Sequence, residues 1–575
     1  MYNSKISELF NEIADMLDLE GDARSFEARA YRKAALVIGS LQEDVGDILK
    51  NKGIDGLTAL PGVGKTLAER IKEYVETGKI KKYEDLKKQY PIDFDSLTKI
   101  QGLGAKRVFK LYKALGVKNV DDLRKALDNH RIRGIEGFGE KSEEEIKKGL
   151  DFFFSTGGRM LIGTALPEAE SIVRKIEASG LAQKVTIAGS TRRMRETVGD
   201  LDILIVSSKS DKMMDFVAGL EEVENIVVKG PTKTTVMLKI GLTCDFRVVE
   251  KESFGSALQY FTGNKEHNVQ LRQIAIKQGY KLNEYGIFDK SDKRVAGSDE
   301  KEVYAKLGMD YIEPEMREAR GEIELAQQHR LPKLVTINDI RGDLHVHTTH
   351  TDGLNTLDEM VQKAVSLGYD YVGISDHTKS EYVAGGMNDK QFVSYFKEID
   401  ELQKRVGDSI KVLKSGEIDI LKDGSLDLSN KTLEMMDYRL CAVHTNINMS
   451  KEQMTNRIIK AFESGYVDIL AHPTDRLINE RAGIQLDFDR LFQSAADNGV
   501  VLEINASPGR LDLNDELILK ASQYKVKFII GTDSHKVEHM DFMRYGIGMA
   551  RRGWLEKKDI INTGDIKSLL KALNR

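Results

Sequence analysis

The chain has 575 residues, more than a single hydrophobic core accommodates, so several domains are expected. Its 41% apolar and 31% charged residues fit a soluble globular protein, and a formal net charge of −5 excludes a bulk polycation. Any nucleic-acid binding must therefore come from local basic patches or backbone amides. Two cysteines, Cys244 and Cys441, exclude a disulfide framework and fit a reducing compartment. With no signal-peptide core and no run of membrane-span length, the expectation is a cytoplasmic protein with no membrane partner.

Residues 1–150 read as helical throughout, with apolar residues at helical spacing, for example Ile6, Phe10, Ile13 and Leu17. Three segments within them share one pattern: LTALPGVGKTLAERI from Leu57, LTKIQGLGAKRVFKL from Leu97 and IRGIEGFGEKSEEEI from Ile132. Each places apolar residues before Gly-x-Gly and then a helix. The glycines allow a tight turn, and the helix N-terminus behind them offers free N–H groups to a phosphate. The pattern resembles the helix-hairpin-helix motif, which implies sequence-independent contact with a DNA backbone. The expected contacts are Gly62, Gly64 and Lys65 in the first copy and Gly102, Gly104 and Lys106 in the second. Glu136, Glu140 and the glutamates after them disfavour phosphate at the third.

From Val185 the pattern changes to short apolar strands. In AGSTRRMRETVGDLDILIV, side chains two apart share a strand face, so Asp200 and Asp202 point the same way. Asp245, in LTCDFRVV, is a third aspartate on a similar strand. Three such carboxylates suit two Mg²⁺ ions that activate a hydroxyl and hold a triphosphate. Gly189, Ser190, Arg192 and Arg193 supply the glycine turn, hydroxyl and cationic forks that a triphosphate requires. Cys244, beside Asp245, faces the other way and reads as a buried core thiol.

The joint pattern of Gly-Ser, nine residues and Asp-x-Asp resembles the nucleotidyltransferase superfamily. Downstream, YFTGNKEHNVQLR (260–272) narrows the resemblance to the family X DNA polymerases, over residues 1 to about 315. This implies Asp200, Asp202 and Asp245 as catalytic metal carboxylates. It implies a nucleotide site made of Gly189, Ser190, Arg193, Gly199, Tyr260, Phe261, Gly263, Asn268 and Arg272. Lys265 and His267 depart from the β-type enzyme, so a differently tuned nucleotide pocket is expected. A second departure is Arg70, where that enzyme carries its Schiff-base lysine. Guanidinium is a poor imine former, so deoxyribose-phosphate lyase activity is expected to be weak or absent. Phe26 and Glu27 also replace basic residues of the 5′-phosphate pocket, leaving Arg32, Lys33 or Lys65 for 5′-phosphate sensing.

The charged stretch 317–336, carrying Pro332, reads as a linker. Beyond it strands and helices alternate, which argues for an α/β barrel or parallel sheet with polar residues at the strand ends. Eight of the 11 histidines fall at or after His345, several beside acids at those ends. The pattern DLHVHTTHTDG…GISDH…GE…H…AHP…GTDSH resembles the PHP domain over about 337–575. The resemblance implies a distorted seven-stranded β/α barrel holding up to three Mn²⁺ or Zn²⁺ ions and hydrolysing phosphoesters. One ion would take His345, His347, Glu417 and Asp533; a second Glu417, His444 and His472; a third Asp352, His377 and His535. His350 matches no family ligand and Asp343 reads as support at the strand start. Arg341, Lys379, Arg476 and Arg481 read as surface charge within reach of a DNA backbone.

The expected organisation is a helical N-terminal domain (1–80), a fingers-like helical domain (81–150), an α/β nucleotidyltransferase palm (151–255), a thumb (256–316), a linker (317–336) and a PHP domain (337–575). The expected function is a monomeric, DNA-directed polymerase of family X. It would fill short gaps in repair, using primer-template or gapped DNA and dNTPs, with a metal-dependent 3′–5′ exonuclease. Apurinic-site cleavage and 3′-end trimming are related activities of the second centre. The alternatives are a polymerase fused to a small-molecule phosphatase, and a DNA-end-binding scaffold with silent sites.

Overall fold

The computed structural model describes residues 2–18, 24–41, 44–98, 100, 103–156 and 159–573. The N-terminal helices build two cores. In the first, the Tyr2–Asp18 helix buries Ile6, Phe10, Ile13 and Leu17 completely against the helices that follow, up to Lys81–Gln89. The second spans Ile92 to Leu150 around the helices Ala105–Leu115, Val120–Asp128 and Glu140–Thr156.

Five strands form the palm sheet, in the spatial order Lys184–Ile187, Asp200–Val206, Thr243–Val249, Lys233–Leu238, Val223–Lys229. Only the Asp200–Val206 and Thr243–Val249 pair is parallel. Leu201 and Ile203 are fully buried, and so is Cys244, while Asp200 is exposed and Asp202 half-buried on the opposite face of the strand. That alternation is what a half-buried strand requires.

The thumb carries the helices Phe254–Thr262, Lys265–Lys277 and Glu300–Lys306 around a three-stranded antiparallel sheet. Residues 317–336 are not the solvated linker that their charge suggests. Arg317 and Glu322 have no exposed surface, Glu322–Gln327 is helical, and Ile323, Ala326 and Leu334 join the thumb core. The charges are internal because each has a partner: Arg317 binds Glu300 (2.5 Å), and Glu322 binds the ring of His267 (2.7 Å). A buried charge is tolerated only on such terms.

In the C-terminal region every sheet neighbour is parallel. Three strands (Gly342–Asp343, Tyr371–Ile374, Lys411–Lys414) form one sheet. Five (Glu417–Asp419, Leu440–Ala442, Ile469–Leu470, Val501–Asn505, Phe528–Gly531) form the other. Single bridges, His377 with Glu417 and Val346 with Ser534, tie the two sheets together. One continuous apolar core runs from the palm into this region. Arg476–Glu196 (2.7 Å) and Arg544–Glu170 (3.0 Å) flank the contact.

Candidate metal centres

Parallel pairing sets the first centre. It places Asp202 directly opposite Asp245, so the two strands bring Asp200, Asp202 and Asp245 to one end of the sheet. Gly189 closes the site from the side. Its φ is +66°, and an added Cβ would overlap the Asp202 carboxylate, so both the backbone and the close approach require glycine. Burial, with the charges of Asp200 and Asp245, pushes Asp202 up to about 7. Burial also works against Asp245. There, however, Lys233 (3.0 Å), Arg247 (3.2 Å) and the Thr235 hydroxyl (2.5 Å) hold the carboxyl below its ordinary range. The trio thus contains one carboxylate kept ionised by cations and one whose charge awaits a cation, which suits a divalent metal.

Around it, Ser190 lies in the Gly189–Arg192 helical turn, and Gly199 directly precedes Asp200. Arg193 donates to Glu318 (3.0 Å) and to the Thr262 carbonyl (2.8 Å). Arg192 is a bidentate partner of Glu300 and is spent on the thumb. Tyr260 and Phe261 meet edge to face at 5.0 Å, with Arg247 over the Phe261 ring. Arg272 faces the Tyr260 hydroxyl. Asn268, expected at the nucleotide, is nearly buried. Its amide donates to the carbonyls of Tyr260 (2.7 Å) and Gly263 (3.1 Å), so in this state it holds the turn. His267 is fully buried between Glu322 and the Tyr304 hydroxyl inside the thumb, while Lys265 is exposed.

The second centre gathers nine side chains, eight of them grouped about Glu417, whose side chain is 1% exposed. Glu417 lies 3.4 Å from His345 Nε2 and 3.5 Å from His347 Nε2, and Asp533 lies 3.5 and 3.4 Å from the same two atoms. On its other oxygen Glu417 meets His444 (3.1 Å) and His472 (2.7 Å). Asp352 lies 3.6 Å from His377 and 3.2 Å from His535. All three expected groupings are therefore drawn together, but their borders overlap. His347 also lies among Asp352, His377 and His535, and His377 also lies with Glu417 and His444. Burial opposes the charge of Glu417, yet His444, His377 and His345 hold it well below the ordinary carboxylate range.

These residues fit a metal site. His345 Nε2 and both ring nitrogens of His347 are buried with no hydrogen-bond partner among the described residues. Unsatisfied buried imidazole nitrogens are costly unless a ligand meets them. His472 (φ +25°) and Asp533 (φ +53°) adopt left-handed backbone, at a cost on the order of 1 kcal/mol each.

Sequence reasoning missed three neighbours. Glu503 accepts from His345 Nδ1 (2.7 Å), which fixes the tautomer and frees Nε2. Asp419 lies 3.7 Å from His444 Nδ1, and Arg510 lies 3.5 Å from Asp533. A carboxylate in the middle of the apolar strand VVLEIN was the available signal for Glu503. Glu503→Gln is expected to weaken divalent-metal binding at this centre by about 10–100-fold, measured by metal titration of hydrolysis, with the aspartate centre unaffected. Asp343 binds Thr532 and the His345 amide. His350 stacks on Tyr395 and bonds Glu398, away from the cluster. Arg341, Lys379, Arg476 and Arg481 all sit in ion pairs, Arg476 at the palm contact.

In the N-terminal region, the helices Lys65–Thr77 and Ala105–Leu115 begin after Gly64 and Gly104, which offer no side-chain cap. Their first amides are left to an external acceptor. Gly62 has φ +81° and lies under the Lys33 stem; Lys65 and Lys106 are exposed, and Gly102 lies outside the described residues. In the third hairpin Glu143 accepts from the Ile132 and Arg133 amides and from the Arg133 side chain, and Glu140 pairs with Arg133.

Family models match along most of this plan: a helix-hairpin-helix domain (1–80), a SAM-like helix-hairpin-helix tandem (94–151), a DNA polymerase beta thumb (257–318) and a PHP domain (343–566). They define a polymerase of the β type joined to a PHP domain. The chain is 36% identical over 578 residues to the DNA polymerase/3′-5′ exonuclease PolX of Bacillus subtilis (strain 168), with 100% of each chain covered. Two DNA polymerases lambda match the first part: that of Arabidopsis thaliana at 27% (55% of this chain, 62% of the relative) and that of Rattus norvegicus at 26% (55% and 56%). The chain belongs to the PolX family of DNA polymerase/3′-5′ exonucleases, enzymes that use divalent metal.

Proposed function

We propose that the chain fills short gaps in DNA during repair at the aspartate centre and trims 3′-ends at the imidazole centre. The observation that carries this is the presence of two complete, chemically distinct ligand sets on one chain. Hard carboxylates at Asp200, Asp202 and Asp245 suit Mg²⁺, and mixed imidazole and carboxylate ligands suit Mn²⁺ or Zn²⁺, up to three ions. When bound, such ions activate the attacking oxygen and stabilise charge on phosphorus.

The chain's own residues do the rest. Asp245 helps to deprotonate the primer 3′-hydroxyl, as the family resemblance implies. Ser190, Arg193 and Gly199 hold the triphosphate, Tyr260 and Phe261 pack under the sugar beside Gly263, and Asn268 and Arg272 contact the incoming nucleotide and the template minor groove. Glu503 and Asp419 orient His345 and His444, and Arg510 offsets the negative charge at Asp533. The first two hairpins grip the DNA backbone through open helix N-termini at Gly64 and Lys65 and at Gly104 and Lys106, with Gly62 and Gly102 as the further expected contacts. The enzyme acts as a cytoplasmic monomer, and apurinic-site cleavage is a side reaction of the imidazole centre.

The test is a 5′-labelled primer in a gapped duplex, incubated with and without dNTPs in Mg²⁺ and in Mn²⁺. Extension with dNTPs and shortening without them support the reading. Hydrolysis of histidinol phosphate but not of a DNA 3′-end would point to a fused phosphatase instead. Lyase activity is weak or absent, because Arg70 stands where an imine-forming lysine is needed and is held by Glu73 at 2.9 Å. Borohydride treatment with a 5′-deoxyribose-phosphate substrate should trap no adduct, and Arg70→Lys should produce one.

A further inference from the structure

The palm, thumb and C-terminal domain share one buried ion cluster. We propose that Arg552, from the PHP domain, is a positioning residue for the triphosphate subsite of the polymerase centre. This rests on the reading of Arg193 as a triphosphate contact.

Arg552 ends the Met543–Arg552 helix and its side chain is 1% exposed. Its Nη1 donates to Glu318 (2.8 Å) and to the backbone carbonyl of Arg193 (2.9 Å). Its Nη2 donates to Asp515 (2.5 Å), which also accepts from Arg320 (3.0 Å). Glu318 takes Arg193 Nε on the same oxygen, and its other oxygen accepts from Asn264 (3.2 Å). One carboxylate is therefore shared by two arginines, one from each catalytic domain.

The consequence is electrostatic and geometric. Glu318 alone would neutralise Arg193 and leave nothing for an anion. With Arg552 and Arg320 included, three arginines face two carboxylates, Glu318 and Asp515, and the cluster keeps a net positive charge in a largely buried place where charge is weakly screened. Burial opposes ionisation of Glu318, but Arg552 and Arg193 hold it at about 2, so it stays ionised across the working pH range. The bonds to Glu318 and Thr262 use Nε and Nη1 of Arg193 and leave Nη2 outside both. The Arg552 bond to the Arg193 carbonyl also holds the segment that follows the Ser190 turn. Gly548, on the Arg552 helix, lies against the Met194 side chain, so this contact is packed as well as bonded.

The experiment is steady-state dNTP incorporation on gapped duplex by the full-length protein, with 3′-end hydrolysis measured on the same preparations. Arg552→Gln is expected to raise KM for dNTP about fivefold to tenfold with kcat changed less than about twofold, the signature of lost binding rather than lost chemistry. Arg552→Lys should recover part of the loss, and 3′-end hydrolysis should be unchanged. Arg193→Ala should raise KM at least as much, and the double variant should add little, because both act through one contact. Arg552→Met fills the same volume and keeps the test readable if the glutamine variant does not fold. An unchanged KM in the Arg552 variants, beside a raised KM in Arg193→Ala, overturns the proposal alone. An unchanged KM in Arg193→Ala overturns the triphosphate reading and the proposal with it. Parallel loss of both activities without rescue by lysine makes Arg552 domain glue and also overturns it.

Discussion

Replacing Asp202 by asparagine is expected to slow primer extension about a thousandfold or more, about 4 kcal/mol of barrier, while 3′-end hydrolysis stays within about twofold. The substitution is nearly isosteric, so the close approach of Gly189 survives and the loss reflects chemistry rather than folding. Asp202 is the most telling of the three aspartates because its charge depends on the metal. Burial and the neighbouring carboxylates raise it to about 7 in the metal-free chain. Its folded state therefore binds more protons than the unfolded chain between pH 3.8 and about 7, and metal-free stability falls as pH rises through that window. A metal at Asp202 must displace that proton. The Mg²⁺ midpoint for extension should improve up to about tenfold per pH unit below about pH 7 and level off above it. A midpoint that stays flat from about pH 6 to about pH 8 would sink the assignment of Asp202 as the proton-coupled ligand.

Glu417→Gln is expected to have the opposite selectivity: 3′-end hydrolysis falls by about 10²–10³-fold, metal content drops, and extension is kept. Glu417 touches His345, His347, His377, His444 and His472, so one oxygen-to-nitrogen exchange strikes every neighbouring subsite at once. A glutamine amide cannot compensate several metal charges or the imidazoles that surround it. The contrast with Glu503→Gln is informative, since Glu503 meets one imidazole ring, that of His345, besides the His472 amide and Asn505, and its loss should cost less. Metal analysis of purified protein, alongside the two activities, checks this. Full metal occupancy in Glu417→Gln would contradict a central bridging carboxylate.

Much of this molecule is visible in the chain itself, because the signals are local. Asp200 and Asp202 share a face by strand periodicity, the glycine hairpins repeat with their flanks, and His345 and His347 repeat the two-residue rule. Apolar spacing alone marks the Tyr2–Asp18 helix face that is buried. Where partners are distant in sequence, only folding reveals them. Parallel register, which no single strand encodes, puts Asp245 opposite Asp202. Residues 317–336 look solvated because composition counts charges and not their partners; Arg317, Glu318 and Glu322 are internal because Glu300, Arg552 and His267 meet them. Glu503 and Asp419 escape notice for the same reason, and so does the partition of the nine expected ligands, whose groupings overlap in space. The sequence by itself determined which chemical groups this protein carries and on which kinds of element. The tertiary structure decided which of them share a charge, since Coulomb energy and desolvation depend on distance and burial, quantities that exist only once the chain has closed on itself.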